Sequence, residues 1–207
     1  VSESSAFVMS RGTDIGELAR DFFPGGKLAV LEEFPGYAAA KRTQEFIKQG
    51  VEDIYEATFI ADDVLVAVDI LHKENGQYHL YEMKSTNSVK PEHYPDVAVQ
   101  YYVLKRAGVD LGNAFLMHLN REYVRHGALD VQHLFVAEDI TPNVLELQKQ
   151  VATNLGRLKE VVKWEDEPLR EMGDYCTCPY PCDYCDYCAK LMPPMEVPDK
   201  VLSSEPV

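Results

Sequence analysis

Apolar residues recur at helical spacing in four segments of the chain, as in helices that pack one face on a core. The predicted helices cover residues 13–23, 37–49, 91–107 and 141 to about 162. Pro24, Gly50 and Gly108 stand where the first three should end, and Thr141-Pro142 begins the fourth. The fourth helix carries an apolar stripe that we expect to face the core. Its members are Val144, Leu147, Val151, Leu155, Leu158 and Val161.

Between these helices, runs rich in β-branched and aromatic residues predict five strands. They cover Ile54–Ile60, Val64–Leu71, Gln77–Lys84, Asn113–Leu119 and Gln132–Val136. Asn75-Gly76 separates the second from the third, and this dipeptide is typical of a two-residue hairpin. The order of elements predicts an α/β domain with a mixed central β-sheet flanked by helices, in which the first three strands form a meander.

The composition changes after Trp164, where acidic residues, cysteines and prolines become frequent. We therefore expect a globular domain over 1–170, a cysteine-rich segment over 171–192 and a linker or tail over 193–207. No apolar run approaches the roughly 20 residues that span a bilayer, so no membrane partner is expected.

The formal net charge of −14 counts against tight non-specific binding to nucleic acid. Many of the acidic residues crowd the C-terminal part of the chain, whereas basic residues are spread over the globular part. We expect these basic residues to form a local basic face. They are Lys41, Arg42, Lys48, Lys84, Lys90, Lys105, Arg106, Arg121 and Arg125.

Two carboxylates and an ammonium group are expected to meet near one end of the predicted hairpin. Asp69 is near the end of the second strand, and Glu82 and Lys84 are at the end of the third. Glu82 and Lys84 share one strand face, so Met83 points away and offers only its backbone carbonyl as a metal ligand. Two carboxylates suit Mg²⁺ or Mn²⁺, and Lys84 suits charge neutralisation at a phosphate. An E-x-K triplet on a strand is also common as a solvated pair.

The strands around these residues carry a more specific pattern. It consists of Ile54-Tyr55-Glu56-Ala57-Thr58-Phe59, Val68-Asp69-Ile70 and Tyr81-Glu82-Met83-Lys84-Ser85. These runs resemble the core of RecB-like PD-(D/E)XK nucleases, which include CRISPR-adaptation exonucleases and AddAB-type helicase-nucleases. The opening from Arg11 to Arg20, with Phe23-Pro24-Gly25-Gly26, resembles a poorly characterised bacterial branch of that superfamily.

The resemblance implies a restriction-endonuclease-like core that acts on DNA, with a helicase or a second nuclease domain as a possible partner. It implies that Asp69 and Glu82 are metal ligands and that Lys84 is the catalytic lysine. Glu56, at the head of the first strand, either lines the same cleft or is a solvated surface acid.

The chain departs from the family pattern at two places. Members often have a histidine ligand in the first helix. Gly16 stands at that position here, and the neighbouring Glu17 is either a replacement ligand or a capping or surface residue. Members also carry Q-x-x-x-Y on the helix after the third strand, where this chain has Asp96 and Gln100, one turn apart. We expect Gln100 to contact substrate or to orient Lys84.

Five cysteines fall within 13 residues: Cys176, Cys178, Cys182, Cys185 and Cys188. Such crowding indicates thiolates that converge on a metal in a reducing, cytoplasmic setting rather than disulfides. By resemblance to iron–sulfur RecB-like nucleases, Cys176, Cys182 and Cys188 hold a 4Fe-4S cluster. The fourth ligand is then Cys178, Cys185 or a residue of a missing segment. A four-cysteine zinc site is the alternative. In either case we expect the metal to pin the C-terminal segment against the nuclease domain.

Taken together, these patterns predict a Mg²⁺- or Mn²⁺-dependent nuclease that hydrolyses DNA phosphodiester bonds in single strands or at duplex ends. The alternative is a catalytically weak or inactive module that keeps the nuclease fold and binds nucleic acid or protein. The acidic net charge and the altered helix motif favour the alternative. Metal-dependent cleavage distinguishes the two.

Overall fold

The computed structural model describes residues 14–167, 171–178 and 181–191. The predicted tail, 193–207, and the start of the family-like opening, Arg11 to Thr13, lie outside the described residues. The chain divides into two compact units, with the boundary between Arg157 and Leu158.

Among the described residues, the first unit contains one sheet, six α-helices and a 3₁₀ turn. The strands are β1 (Lys27–Leu28), β2 (Asp53–Ala61), β3 (Val64–Glu74), β4 (Gln77–Met83), β5 (Leu111–Leu119) and β6 (Phe135–Asp139). The helices are α1 (residues 14–19), α2 (Tyr37–Lys48), α3 (His93–Arg106), α4 (Val131–Leu134), α5 (Thr141–Glu146) and α6 (Gln148–Val161), which contains the unit boundary. A 3₁₀ turn, Arg20–Phe22, follows α1.

The sheet has six strands in the order of the chain, from β1 to β6. β2, β3 and β4 form the predicted antiparallel meander, and β6 is antiparallel to β5. β4 and β5 are parallel, because α3 carries the chain back between them. Asn75 and Gly76 both have positive φ angles, 52° and 90°, as a two-residue hairpin requires. The prediction of an α/β fold with a mixed sheet is confirmed.

Helices cover both faces of the sheet, so two cores form. The larger core joins the sheet to α3 through Val97, Ala98 and Leu104, and it also includes Val144 of α5. The smaller core joins the opposite face to α1 through Ala19. Its strand residues are Tyr55, Ile70, Tyr81, Met83, Met117 and Phe135. The prediction of flanking helices is therefore also confirmed.

The alternation of buried and outward residues shifts by one position in the middle of β2 and β3. Ile54 and Ala57 pack in the same core although they are three residues apart, and Val68 and Leu71 do the same on β3. The shift falls at Glu56 on β2, whose φ angle is +52°, and at the neighbouring position of β3. Beyond this point the hairpin covers α3, since the tip residue Asp62 accepts a hydrogen bond from Arg106 Nε at 2.7 Å.

A fork opens between β3 and β4 at the same level. The two strands pair from Ile70 opposite Tyr81 to Glu74 opposite Gln77. The N-terminal part of β3 pairs with β2 alone, while the last residues of β4 pair with β5. A fork in a sheet leaves backbone groups that need other partners, and this one lies where the candidate acids are.

Two predicted elements differ from the structure, and one observed strand was not predicted. The strand predicted at Gln132–Val136 begins only at Phe135, because Asp130 caps a helical turn over Val131–Leu134 by accepting from the His133 N–H. The helix predicted from 141 to 162 is two helices, α5 and α6, separated at Leu147. Leu158, a member of the apolar stripe predicted on that helix, is 58% exposed, so the prediction that the stripe faces the core is wrong for this residue. β1 was not predicted, because two residues are too few for a periodic signal.

In the second unit, the described part after α6 contains a 3₁₀ turn, Asp174–Cys176, and the helix α7, Cys185–Leu191. Tyr187 on α7 donates a hydrogen bond to Glu167 at 2.7 Å. Across the described residues of both units, no helix combines the length and the apolar character that a membrane crossing requires.

Candidate active site

Three acidic residues stand in a row across neighbouring strands. Tyr55 pairs with Ile70 and Ala57 with Val68, so the register puts Glu56 on β2 opposite Asp69 on β3. Ile70 pairs with Tyr81, and one further step puts Asp69 opposite Glu82 on β4. We call Glu56, Asp69 and Glu82 the acid row. It crosses the sheet at the level of the fork.

Asp69 lies at the point where β3 and β4 separate. Its Oδ2 accepts a hydrogen bond of 2.7 Å from the backbone N–H of Met83. If β3 had continued beside β4, a backbone carbonyl of β3 would have accepted this bond instead. Burial raises the pKa of Asp69 well above its usual value, and the nearby Glu82 carboxylate raises it further. The predicted proximity of Asp69 and Glu82 is therefore present.

Glu82 is buried and hydrogen-bonded on both carboxylate oxygens. Lys84 Nζ donates to Oε1 at 2.7 Å, and Gln100 Nε2 donates to Oε2 at 2.8 Å. Burial raises the pKa of Glu82, whereas the Lys84 charge acts in the opposite direction. The geometry fixes the Glu82 carboxylate in one orientation.

A second carboxylate completes the contacts of Lys84. Asp96 Oδ2 accepts from Lys84 Nζ, so the ammonium lies between Asp96 and Glu82. Although desolvation lowers the pKa of Lys84, the two carboxylates outweigh it and raise the pKa above the usual value. Lys84 is therefore a cation throughout the neutral pH range.

The side chains that meet here come in two pairs, Glu82 with Lys84 at the end of β4 and Asp96 with Gln100 on α3, and the spacing within each pair explains the contacts. Glu82 and Lys84 are two residues apart on a strand, which is about 6.6 Å along the chain. Asp96 and Gln100 are four apart on α3, which is about 6 Å along the helix axis. Because α3 runs antiparallel to β4, Gln100 meets Glu82 and Asp96 meets Lys84. Gln100 was expected to contact substrate or to orient Lys84, and in the structure its amide orients Glu82 instead of Lys84.

Glu56 is the member of the site whose role sequence patterns left undecided. Its Oε1 accepts from Arg20 Nη2 at 3.0 Å, and its charge contributes to the raised pKa of Asp69. A positive φ is unusual for a non-glycine residue inside a strand, and such strain is concentrated at functional sites. Thr58 Oγ1 supports the distorted backbone by donating to the Glu56 carbonyl at 3.0 Å.

Neither of the remaining predicted metal ligands, Glu17 and Met83, contributes a side chain to these contacts. Glu17 is exposed on α1, and no hydrogen bond of the described residues joins it to the acid row. The Met83 side chain packs in the smaller core, as its alternation predicted. Met83 takes part through its backbone N–H.

The acid row supplies oxygen donors of the kind that a divalent cation takes. Among the described residues, no three His, Cys, Asp or Glu side chains are arranged to hold a metal ion. Mg²⁺ commonly takes one or two protein carboxylates and fills its octahedron with water and substrate oxygens, so Asp69 and Glu82 suffice chemically. Gln100 Oε1 is buried without a hydrogen-bond partner in the same place. Such an orphaned acceptor is typical of a site that is completed by water or ligand.

The five cysteines are free thiols in the second unit. The Cys176 carbonyl accepts from the Cys182 N–H at 2.8 Å and from the Cys185 thiol at 3.2 Å, so these three residues are drawn together. Burial raises the pKa of Cys185, the backbone hydrogen bond with Cys182 lowers it in part, and the charges of Cys176 and Cys182 raise it. Cys178 is exposed, and Cys188 lies on α7. The described thiols do not by themselves form a metal-holding group, so a cluster here rests on the cysteine spacing.

A cavity of about 270 Å³ lies away from the acid row. Its lining includes Lys48, Tyr78 and Val109, and none of the predicted site residues. Buried, hydrogen-bonded carboxylates indicate a functional site more strongly than a cavity without such groups does, so the acid row is the better candidate.

No protein-family model and no curated protein matches the chain. Solved structures do give matches, among them a chain described as the crystal structure of SSO0001. It is 10% identical, the match covers 70% of this chain and 69% of that chain, and the TM-score is 0.27. A likeness at this level carries no argument about fold or function.

Proposed function

We propose that the chain is a divalent-metal-dependent nuclease that hydrolyses DNA phosphodiester bonds, in single strands or at duplex ends. The observation that carries the proposal is the meeting of Asp69, Glu82 and Lys84 at the fork of the sheet. Two carboxylates beside an ammonium group match the demands of phosphodiester hydrolysis, which needs a cation site and a group that neutralises developing negative charge.

Each residue has a distinct task in this proposal. Asp69 and Glu82 would hold Mg²⁺ or Mn²⁺, which when bound lowers the pKa of a coordinated water and polarises the phosphate. Lys84 would neutralise the negative charge that develops on the phosphate oxygens. Gln100 keeps Glu82 in one orientation, and the Met83 N–H does the same for Asp69. Glu56 adds a third carboxylate to the row.

A second candidate function is favoured by the contact between Lys84 and Asp96. An ammonium already paired with two carboxylates is less available to a phosphate, and the net charge of −14 opposes DNA binding. The alternative is a module that kept the nuclease fold and binds nucleic acid or protein without cleaving. It predicts binding without metal-dependent hydrolysis.

Labelled single-stranded and duplex DNA incubated with the purified protein and Mn²⁺ tests the proposal. We expect cleavage that chelation abolishes. We expect Lys84→Ala and Asp69→Asn each to lower the rate by about 10²-fold or more, the usual scale for losing one stabilising group. Asn keeps an oxygen acceptor for the Met83 N–H, so the Asp69 variant should remain folded.

Lys149→Ala is the matched control, because Lys149 is exposed on α6 and its replacement removes the same charge away from the site. Its rate should equal that of the unaltered protein. Absence of Mn²⁺-dependent cleavage, or equal rates in Lys84→Ala and the unaltered protein, refutes the nuclease and leaves the binding module.

We also propose that the cysteines bind a 4Fe-4S cluster, with zinc as the alternative, and that the protein works in the reducing cytoplasm. The support is chemical, since five free thiols within 13 residues are a soft donor set that suits either metal. A helicase or a second nuclease domain remains the proposed partner by resemblance alone.

A further inference from the structure

One buried polar side chain beside the candidate site has no task in the proposed mechanism. His93 is the first residue of α3, and it is 6% exposed. A polar side chain buried to this extent either has hydrogen-bond partners for its polar atoms or lies where a ligand or water completes them. The two nitrogens of the His93 ring therefore need to be accounted for one by one.

His93 lies on the face of α3 that already contributes to the site. Asp96 comes three residues after it and Gln100 seven residues after it, and side chains at this spacing share one face of a helix. Gln100 meets Glu82 and Asp96 meets Lys84. His93 therefore lies about one helical turn further along, on the far side of Lys84 from Glu82.

The first ring nitrogen of His93 is occupied. The backbone N–H of Lys90 donates to Nδ1 at 3.2 Å. Burial lowers the pKa of His93, and the nearby Lys84 ammonium lowers it further, so the ring is neutral at pH 7. A neutral imidazole that accepts a hydrogen bond at Nδ1 carries its proton on Nε2. The contact with Lys90 therefore fixes the tautomer in which Nε2 is the donor.

The second ring nitrogen of His93 is available to a ligand. Within the part of the chain that the structure describes, Nε2 has no hydrogen-bond partner and is not fully enclosed, so it reaches solvent. The two acids nearby are each paired with a lysine, Glu92 with Lys90 at 3.9 Å and Asp96 with Lys84. The N-terminus of α3 adds partial positive charge beside the ring. An N–H donor in this position suits a ligand with an anionic oxygen.

We infer that the Nε2–H group of His93 donates a hydrogen bond to a non-bridging oxygen of the phosphate that Lys84 neutralises. A neutral imidazole at a helix N-terminus can stabilise developing negative charge in this way, without giving up its proton. The inference rests on the proposed function, to which it adds a substrate contact made by α3. His93 and Lys84 then bind the same phosphate from two different elements.

Two substitutions of His93 separate the roles of its two nitrogens. His93→Asn puts an amide oxygen near the position of Nδ1, so it keeps the acceptor for the Lys90 N–H and loses the donor. His93→Gln puts an amide N–H near the position of Nε2, so it keeps the donor and loses the acceptor. We expect kcat for Mn²⁺-dependent cleavage to fall about 10²-fold in His93→Asn and less than about fivefold in His93→Gln. A purely structural role, in which His93 only holds the backbone of Lys90, predicts the opposite order.

NMR of protein labelled with ¹⁵N in its histidines tests the contact without relying on cleavage. The free protein should show the proton of His93 on Nε2. With Ca²⁺ in place of Mn²⁺, a short single-stranded oligothymidylate should shift the His93 Nε2 resonance, which is assigned by its absence from His93→Asn. The His72 resonances are the internal control and should not shift, because His72 contacts Phe23 of the smaller core, on the opposite face of the sheet.

Three results would overturn the inference. They are a proton on Nδ1 in the free protein, a His93 resonance that the oligonucleotide leaves in place, and a larger loss of kcat in His93→Gln than in His93→Asn. A shifted His93 resonance without any Mn²⁺-dependent cleavage supports the phosphate contact and refutes the nuclease. Cleavage with an unshifted His93 resonance does the reverse.

Discussion

At the scale of the residue, the two carboxylates that contact Lys84 differ in their exposure to solvent. The Asp96 side chain is 49% exposed, whereas the Glu82 side chain on the other side of the ammonium is 9% exposed. A phosphate that approaches from solvent therefore meets the Asp96 charge first. Asp96 can turn away from Lys84 into water, and the buried Glu82 cannot.

Asp96→Asn tests this competition. Asparagine keeps an oxygen for Lys84 and removes the charge that repels phosphate, so we expect the KM for a DNA substrate to fall about three- to tenfold while kcat changes by less than about threefold. Steady-state kinetics with a labelled oligonucleotide provide both values.

Glu45→Gln is the control for a general loss of negative charge, because Glu45 is exposed on α2. It should leave the KM unchanged. A higher KM in Asp96→Asn would show that Asp96 assists substrate binding, contrary to the prediction.

At the scale of the element, a buried hydroxyl of α2 forms a hydrogen bond with β2. Thr43 Oγ1 donates to the Ala39 carbonyl at 3.0 Å and accepts from the Thr58 N–H at 2.9 Å. Thr153 on α6 makes the same bond to the carbonyl four residues before it, but it is exposed and has no such strand donor. The two threonines therefore differ in one buried hydrogen bond.

Thr43→Val should lower the free energy of unfolding by about 1–3 kcal/mol, because it leaves the buried Thr58 N–H without a partner. Thr153→Val should change it by less than about 0.5 kcal/mol. Urea denaturation followed by circular dichroism measures both. Similar values for the two variants would contradict the structural role given to Thr43.

Some elements could be predicted from local sequence patterns and others could not. The Asn75-Gly76 hairpin follows from two residues that tolerate positive φ angles, and both adopt them. The break at Leu147 between α5 and α6 was not predicted, because the apolar spacing continues across it. The helical turn before β6 was missed for a similar reason, since its cap at Asp130 is a single side-chain contact.

At the scale of the whole molecule, all cysteines belong to the second unit and the acid row belongs to the first. The cysteines also differ among themselves, because the Cys185 thiol bonds the Cys176 carbonyl whereas Cys178 is exposed. This arrangement favours Cys185 over Cys178 as the fourth ligand of the proposed cluster.

We therefore expect Cys185→Ser to lose most of the bound metal and Cys178→Ser to keep it. Iron and zinc analysis of protein purified without oxygen measures the content, and visible absorbance distinguishes an iron–sulfur cluster from zinc. Loss of metal in Cys178→Ser with retention in Cys185→Ser would reverse the assignment. Absence of both metals from the unaltered protein would refute the cluster.

The sequence by itself determined the kinds of element, the mixed sheet, the meander and the pairing of Asp69 with the Glu82–Lys84 strand. Each of these depends on local periodicity or on a two-residue turn. The tertiary structure alone decided that Glu56 joins the row, that Asp96 engages Lys84 and that His93 lies near the same ammonium. These outcomes depend on strand register, on a φ of +52° and on helix direction, which arise from contacts between residues far apart in the chain.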